Sequence, residues 1–371
     1  MSAPLRSWAA EPLSAAVRAA LDRVCHAPDV VVVAAMPDVH LAEGVCVGTV
    51  TATRRLLYPQ AVGGDLGCGV AALPVGAPLD ALTPDRAATL LTALERLAPV
   101  LHQRDPPPLP EALSGGLSAS GLNRAAEREG RLELGTVGRG NHFVEVAADE
   151  QGALWVLAHS GSRAMGPAIQ AHHQRGLAAG AAGLVSLEAE SEAGQAWLAD
   201  LAWARRYAAM NRQHLLMAAG AAMERLLGAA PDWGRAIDCD HDHVRREAHE
   251  GAELWVHRKG AVYAGLGEAA VIPGSMGTAS YLVEGRGCAR ALCSSSHGAG
   301  RAMSRSEARA RLSVPSLRQQ VGRLYFDERK ASRLVEEAPQ AYKDIRAVMA
   351  AQRALTRVVA TLRPVLNHKG V

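Results

Sequence analysis

The sequence predicts a single large α+β domain over residues 1–371, with mixed β-sheets flanked by helices. Three observations carry that expectation. Short β-branched or alternating runs recur along the chain, each stopped by glycine or proline, and helix-forming stretches separate them. No segment repeats, and no stretch rich in Pro, Gly or Ser divides the chain into two domains. A chain of 371 residues, 49% hydrophobic and 21% charged, can bury a large core in a soluble protein.

DVVVVAAMPDVH (29–40) is apolar and β-branched and ends in Pro-Asp, so it reads as a buried strand running into a loop. GVCVGTVTAT (44–53) alternates and reads as a second strand, and AVGGDLGCGVAALPV (61–75) as a glycine-punctuated strand or bulged turn. In LTPDRAATLLTALERL (82–97), Thr83 before Pro84 is a helix start signal, and helical periodicity follows. Residues 102–125, rich in Pro, Gly and Ser, predict a long loop able to act as a lid. RLELGTVGRGNHFVEVAA and ALWVLAHSGSRAMG give two more strand-to-loop units. Residues 186–228 predict two helices, and GAELWVHRKGAVYAGLGEAAVIPGSMGTASYLVEG is β-rich with turns. From residue 305 the chain reads as mostly helical, closing on NHKGV.

The formal charge is only +3, so a nucleic-acid role would need a local basic surface rather than bulk charge. Six cysteines (25, 46, 68, 239, 288, 293) form no CxxC pair and no regular framework, which reads as reduced and intracellular. MSAPLRSWAAEPL lacks the layout of a signal peptide, and the longest apolar run, VVVAAM, is far too short to cross a bilayer. The expectation is a cytoplasmic protein with no membrane partner.

Several polar residues occupy one kind of place, the end of a strand-like run inside a glycine-rich turn. They are Asp65 and Cys68 in GGDLGCG, Asn141 and His142 in GRGNHF, His159 in AHSGSR, His241 in CDHDH and His297 in SSSHGAG. An Asp, a Cys and three His form a divalent-metal donor set, sufficient for two ions if Cys68 bridges. Each residue alone says little. Any one of the fourteen histidines is more often a surface or hydrogen-bonded group, and Asp in a glycine turn is ordinarily an Asx-turn residue. His40, His102, His172, His173, His214, His243, His249, His257 and His368 are read as structural or surface residues. HEGAE (249–253) lacks the second histidine of HExxH, so a zincin is excluded.

His297 lies among small residues, with Arg301 and Arg305 close behind. Small neighbours suit close approach of a ligand to the backbone, and arginines suit phosphate. There is no GxxxxGK[ST], hence no P-loop, and no Lys-x-Asp-Gly of the lysine-dependent nucleotidyl-transfer ligases. IPGSMGTAS (272–280) and HGAGR (297–301) remain as turns whose backbone donors can cradle phosphate.

Taken together, the chain resembles the RtcB family of RNA ligases. The resemblance runs in family order through MPDVHLAEGVCVGTV, GGDLGCG, LGTVGRGNHFVE, HSGSR, NRQH, VHRKGAV, IPGSMG, SSSHGAGRAMSR, APQAYKDIRAVMAAQ and the terminal KG. It implies a single domain built around a metal and nucleotide cleft. The implied activity joins RNA 3′-phosphate or 2′,3′-cyclic-phosphate ends to 5′-hydroxyl ends, using GTP and two Mn²⁺ ions.

His297 matches the histidine that becomes guanylylated. Cys68 looks like the bridging thiolate, one ion being completed by His142 and His159, the other by Asp65 and His241. The guanylate pocket would use Asn141, His142, Phe143, Val144 and Glu145, His241 and Asp242, and Pro273, Gly274, Ser275 and Met276 with Ser280. Gly298, Ala299 and Gly300 would adjoin it, and Tyr342 and Lys369 would close it. Arg163, Arg301 and Arg305 would face RNA phosphates. Ligand softness alone names Zn²⁺ for a Cys/His site; Mn²⁺ comes from the resemblance.

The chain departs from the family pattern in having His241-Asp242 where His-Asn is usual, and Ala164 where Gly follows HSGSR. Its length resembles the compact bacterial members that accompany a release-factor-like protein. That implies repair of tRNA or rRNA rather than intron splicing. The rival classes are a metal-dependent RNA-end phosphoesterase and a non-catalytic RNA-binding relic. An intact HGAGR and a C-terminal lysine speak against the first, and the full set of ligands against the second.

Overall fold

Two sheets carry the fold, and the chain crosses from one to the other at His241. The computed structural model describes residues 2–180 and 182–371. A five-stranded sheet runs in the order Leu5–Ser7, Val30–His40, Val47–Thr53, Ala252–Lys259, Asp242–His249. A seven-stranded sheet runs Ala269–Ile272, Ser280–Gly285, Thr356–Lys369, Phe143–Ala148, Ala153–Ser160, Gly69–Pro78, Ile237–Asp240. The short pairs Ala261–Tyr263 with Ser294–Ser296 and Leu56–Leu57 with Leu187–Glu188 complete the strands. This is the mixed α+β domain that the sequence predicts.

The seven-stranded sheet is covered on one face by the helices Pro84–Leu97 and Glu192–Leu227. Leu73, Val144, Val146 and Val156 pack there against Leu90, Leu94, Leu215 and Met223. On the other face the sheet curls, so that Val70, Phe143 and Leu157 meet Leu362 of the Thr356–Lys369 strand and Val271 and Leu282 of the two strands beyond it. The strand Val30–His40 is a buried strand as expected, with a register shift between Ala35 and His40 that accommodates Pro37.

Three expectations are corrected. The region 186–228 holds one helix of 36 residues, Glu192–Leu227, rather than two. Ser191 caps its start and left-handed Gly228 its end, with neither signal between. Trp197, Leu201, Ala204, Ala208, Asn211, Leu215, Ala219 and Met223 repeat every three or four positions and bury one continuous face.

The stretch 102–125 is not a free lid. Leu109, Leu113, Leu117 and Leu122 are buried against Trp197, Trp203 and Tyr207. The backbone N–H and hydroxyl of Ser118 both donate to the Asp200 carboxylate, at 2.7 and 2.6 Å.

The C-terminal segment is helical only in part. It ends in the 14-residue strand Thr356–Lys369, central in the sheet. Pro364 obscures this strand in the sequence, and the register shifts beside it, between Pro364 and Leu366. The amphipathic helix Ala15–Cys25, capped by Ser14, also escaped the sequence reading.

Candidate active site and metal centre

Four neighbouring strands of the large sheet end together, and their register assembles the site. Phe143 pairs with His159, Val70 with both His159 and Cys239, and Gly69 with Ser160 and Asp240. His142 precedes Phe143, Cys68 precedes Gly69, and His241 follows Asp240, so all of them arrive at one sheet end with His159. The His241 N–H donates to the Cys68 carbonyl at 2.8 Å, which ties the sheet crossing to the thiol turn. Lys369 pairs with Phe143 at the same end.

Two donor clusters share Cys68: Cys68 with His159 and His241, and Asp65 with Cys68 and His142, the donor atoms in each lying within 4.8 Å of one another. Cys68 Sγ stands 3.4 Å from Nε2 of both His142 and His159, and His142 Nε2 stands 3.1 Å from Asp65 Oδ2. The donor clusters differ from the expected grouping: Asp65 lies with His142, and His241 with His159. The position of Asp65 is the reason, because its Oδ2 lies 3.1 Å from His142 Nε2. Asp65 is fixed by the turn after His159, where the Ser162 N–H donates to Oδ1 at 2.9 Å. Any Cβ at Gly161 would collide with that carboxylate, which explains the glycine in HSGSR.

The long helix supports both loops. Arg212, fully buried, donates through Nη1 to the carbonyls of Gly67 (2.8 Å) and Ser160 (3.1 Å), with Nε on Asp238 at 2.6 Å. Asn211 accepts from the N–H groups of Gly135 and Thr136 at 2.7 and 3.2 Å. It donates to the Thr136 carbonyl and the Ser160 hydroxyl at 3.0 and 2.8 Å. NRQH thus holds the ligand turns from behind.

Burial holds the His159 and His241 imidazoles well below their ordinary pKa, reinforced by neighbouring histidines and, for His241, by His297 first. They stand as neutral donors. Burial, then Asp65 and Asp242, pushes the Cys68 thiol well up, a burden that a bound cation would relieve. Burial would also raise Asp65, but His142 and Arg163 bring it below its usual value. Buried Nδ1 of His241 has no hydrogen-bond partner. A thiol, three imidazoles and a carboxylate, with an orphaned ring nitrogen among them, fit divalent ions.

His297 follows the strand Ser294–Ser296 into the same cleft, its ring 4.8 Å from that of His241. Its Nδ1 lies at an ion-pair distance of 2.6 Å from Asp38 Oδ2, and its backbone N–H donates to the same oxygen at 3.2 Å. Burial opposes the imidazolium, but the Asp38 carboxylate more than compensates and raises the pKa of His297. Nε2 is the ring nitrogen left free of Asp38. Gly300, at φ 70°, has the Asp38 backbone where a Cβ would go, so one of the glycines after His297 serves this packing.

The cleft has a volume of about 840 Å³. Its lining includes Asp65, Cys68, Asn141, His142, Phe143, Glu145, His159, His241 and Asp242. Pro273, Gly274, Ser275, Met276, Ser280, His297, Gly298, Ala299, Gly300, Arg301, Arg305, Tyr342 and Lys369 line it as well. Val144 does not: alternation along its strand turns the side chain into the core.

Arg163 stands outside the lining with φ 57°, its Nε donating to the Thr136 hydroxyl at 3.2 Å. Arg301 is engaged within the protein. It donates to Glu337 (3.1 Å), the Tyr342 hydroxyl (3.2 Å) and the carbonyls of Glu336 (2.8 Å) and Met303 (3.0 Å), so it is not a free cation for RNA. Arg305 is half exposed on the rim and reaches over Gly140.

At the inner end, burial pushes Glu145 up to about 7, against a 2.8 Å hydrogen bond from Asn367. Lys369 Nζ lies 3.0 Å from Glu337, 5.3 Å from the Phe143 ring centre, and donates to the Asn141 carbonyl at 3.2 Å. The Tyr342 hydroxyl donates to Glu337 at 2.6 Å. Burial raises Asp242 to about 7, although its Oδ1 accepts from the Gly260 N–H at 2.8 Å. Asp38, Glu337, Arg212 and Asn367 were missed as site residues. Asp38, an acid at a strand end in MPDVH, and Arg212, within NRQH, had a local signal but were given no role.

This is a cleft with a two-centre metal-ligand set and a carboxylate-held histidine, and comparison with known proteins places it. The sequence profile of the family described as "tRNA-splicing ligase RtcB" matches residues 20–108 and 111–370. The "RNA-splicing ligase RtcB" of Escherichia coli K12 is 35% identical over 405 aligned residues, which cover 100% of this chain and 98% of that protein. The protein of the same name from Mycobacterium tuberculosis is 32% identical, over 91% of this chain and 96% of its own. The "tRNA-splicing ligase RtcB" of Pyrococcus furiosus is 30% identical over 69% of this chain, which aligns with 31% of that protein. The chain belongs to the RtcB family.

Proposed function

We propose that the protein is an RNA ligase that joins RNA 3′-phosphate or 2′,3′-cyclic-phosphate ends to 5′-hydroxyl ends, using GTP and two Mn²⁺ ions. The observation that carries this reading is His297: a histidine held at Nδ1 by a buried carboxylate, beside a paired thiolate–imidazole centre in one cleft. With the Nδ1 proton on the Asp38 side, the Nε2 lone pair attacks the α-phosphorus of GTP and pyrophosphate departs. Asp38 then stabilises the positive charge that grows on the ring. An oxygen of the RNA 3′-phosphate displaces the guanylate from Nε2. The RNA 5′-hydroxyl attacks that activated phosphate, and GMP leaves as the 3′,5′ bond forms.

Asp65 and His142, and His159 and His241, would hold the two ions, with Cys68 between; bound there, Mn²⁺ supplies neutralisation of phosphate charge. Glu145 offers carboxylate acceptors to the N–H donors of a guanine edge, and Lys369 a donor to its carbonyl. A cytoplasmic role in tRNA or rRNA repair, with a release-factor-like protein as functional partner, belongs to the same reading. Among the described residues no helix is long and apolar enough to cross a membrane.

The test is incubation with Mn²⁺ and α-labelled GTP, followed by denaturation. Acid-labile label on the chain, absent in His297→Ala, is the expected result. No label, with opening of a cyclic phosphate retained, would move the assignment to a phosphoesterase.

A further inference from the structure

Behind the wall of the catalytic cleft lies a second groove of about 350 Å³. Its lining includes Tyr281, Arg286, Arg346, Arg353, Thr356 and Arg357, and contains four arginines but no carboxylate. Two acids stand outside the lining: Glu284 pairs with Arg357, and Asp344 lies 3.4 Å from Arg346. Arg286 rests its Nε on the Thr356 carbonyl at 3.3 Å. Arg353 makes no side-chain hydrogen bond or ion pair among the described residues. Four guanidinium groups against two carboxylates leave an uncompensated positive groove in a protein whose formal charge is only +3.

A second observation points to a ligand. Thr356 is 4% exposed and lines the groove, yet its hydroxyl oxygen has no hydrogen-bond partner. A buried hydroxyl left unpaired is costly, and a ligand oxygen in the groove would satisfy it.

We propose that this groove holds the sugar-phosphate backbone of single-stranded RNA at a distance from the reacting ends. The inference rests on the RNA-ligase reading for the identity of the polyanion. Arginines supply the phosphate contacts, the Thr356 hydroxyl donates to a phosphate or ribose oxygen, and Tyr281 offers a ring face to a base.

The number of cations favours a polyanion over a free anion, because four arginines line one groove with no carboxylate among them. Lys343 lines the cleft and Arg346 the groove, three positions apart with exposed Asp344 between, so cleft and groove adjoin along this segment.

The test uses the whole protein and its Arg346→Ala/Arg353→Ala variant, neither residue being part of the catalytic machinery. Binding of two fluorescent 3′-phosphate RNAs, a trinucleotide and one of roughly 20 nucleotides, is followed by anisotropy without GTP across a salt series. Loss of two phosphate contacts should lower the slope of log K against log salt by about 1.4 and weaken long-RNA binding about tenfold. The trinucleotide should bind as before, and label transfer from GTP to His297 should be unchanged.

Tyr281→Ala should weaken long RNA further, with Tyr281→Phe close to the parent protein. An unchanged slope and affinity, or equal weakening for both RNAs, would overturn the proposal. So would a variant that loses only inorganic phosphate or free nucleotide. Failure of the parent protein to take label from GTP would count against the ligase reading alone, because RNA binding is measured separately.

Discussion

Replacing Asp38 by asparagine keeps the shape of the side chain and removes its charge. The wild-type Oδ2 receives two contacts from His297, Nδ1 at 2.6 Å and the backbone N–H at 3.2 Å, while Oδ1 is buried without a partner. The backbone N–H decides how the amide sits. With the NH₂ toward His297, two donors would face each other, so the amide oxygen takes the Oδ2 place and the NH₂ the empty one. The nucleophile then keeps the tautomer with Nε2 free, and what is lost is charge assistance to the Nδ1 hydrogen bond. That difference is about 1–1.5 kcal/mol, or roughly 5- to 12-fold in rate at 1.4 kcal/mol per decade.

This is well short of the ~10⁴-fold that a wrong tautomer costs in a serine-protease triad. The assay is single-turnover transfer of label from GTP to His297. The apparent affinity for GTP should change little, because Asp38 acts through His297. The pKa of His297 should fall, since the carboxylate that raises it has become neutral. A transfer rate within threefold of the parent, or a loss confined to GTP affinity, would refute the positioning role.

The assignment of Glu145 to guanine predicts a pH dependence. Its carboxyl titrates at about 7 in the free protein, and the guanine edge needs the ionised form. GMP affinity should therefore be level above pH 7 and fall up to tenfold per unit below it, with no such dependence in Glu145→Gln. Titrations showing the same pH profile in both proteins would contradict this.

The ligand grouping predicts that Asp65→Asn and His241→Ala each retain one Mn²⁺ after dialysis while Cys68→Ser weakens both sites; metal analysis that finds both ions lost in each variant would count against it. Asn211→Ala strands the Gly135 N–H in the core, while the Thr136 N–H and carbonyl keep the Glu133 carbonyl and the Ser160 hydroxyl as partners, and should cost about 2 kcal/mol in urea unfolding. A loss below about 1 kcal/mol would show that water replaces the side chain.

The local signals in the sequence proved informative about particular places and poor on long-range partners. Glycine-rich turns at strand ends carried Cys68, His142 and His159, and the structure brings them to one sheet end together with His241. Strand-like runs were read around those three, but the strand Ile237–Asp240 that delivers His241 was not. The long helix was misjudged because its continuity depends on an unbroken face packing on the sheet and on the Trp197 cluster, which a local scan for length and stop signals does not weigh. The strand Thr356–Lys369 was hidden by Pro364, whose missing N–H is tolerated only because the register shifts beside it.

By itself the sequence determined the donor types, their placement in permissive turns, the histidine with its small neighbours, and the family. Only the tertiary structure decided which donors lie together, since it sets the Asp65 carboxylate 3.1 Å from His142, 77 positions away, and brings His241 to Cys68 and His159. It also decided that Arg301 is engaged by Glu337 and that Asp38, 259 positions away, holds His297. Contacts between segments so distant leave no periodicity or spacing to read; they exist because two sheets meet where the chain crosses at His241.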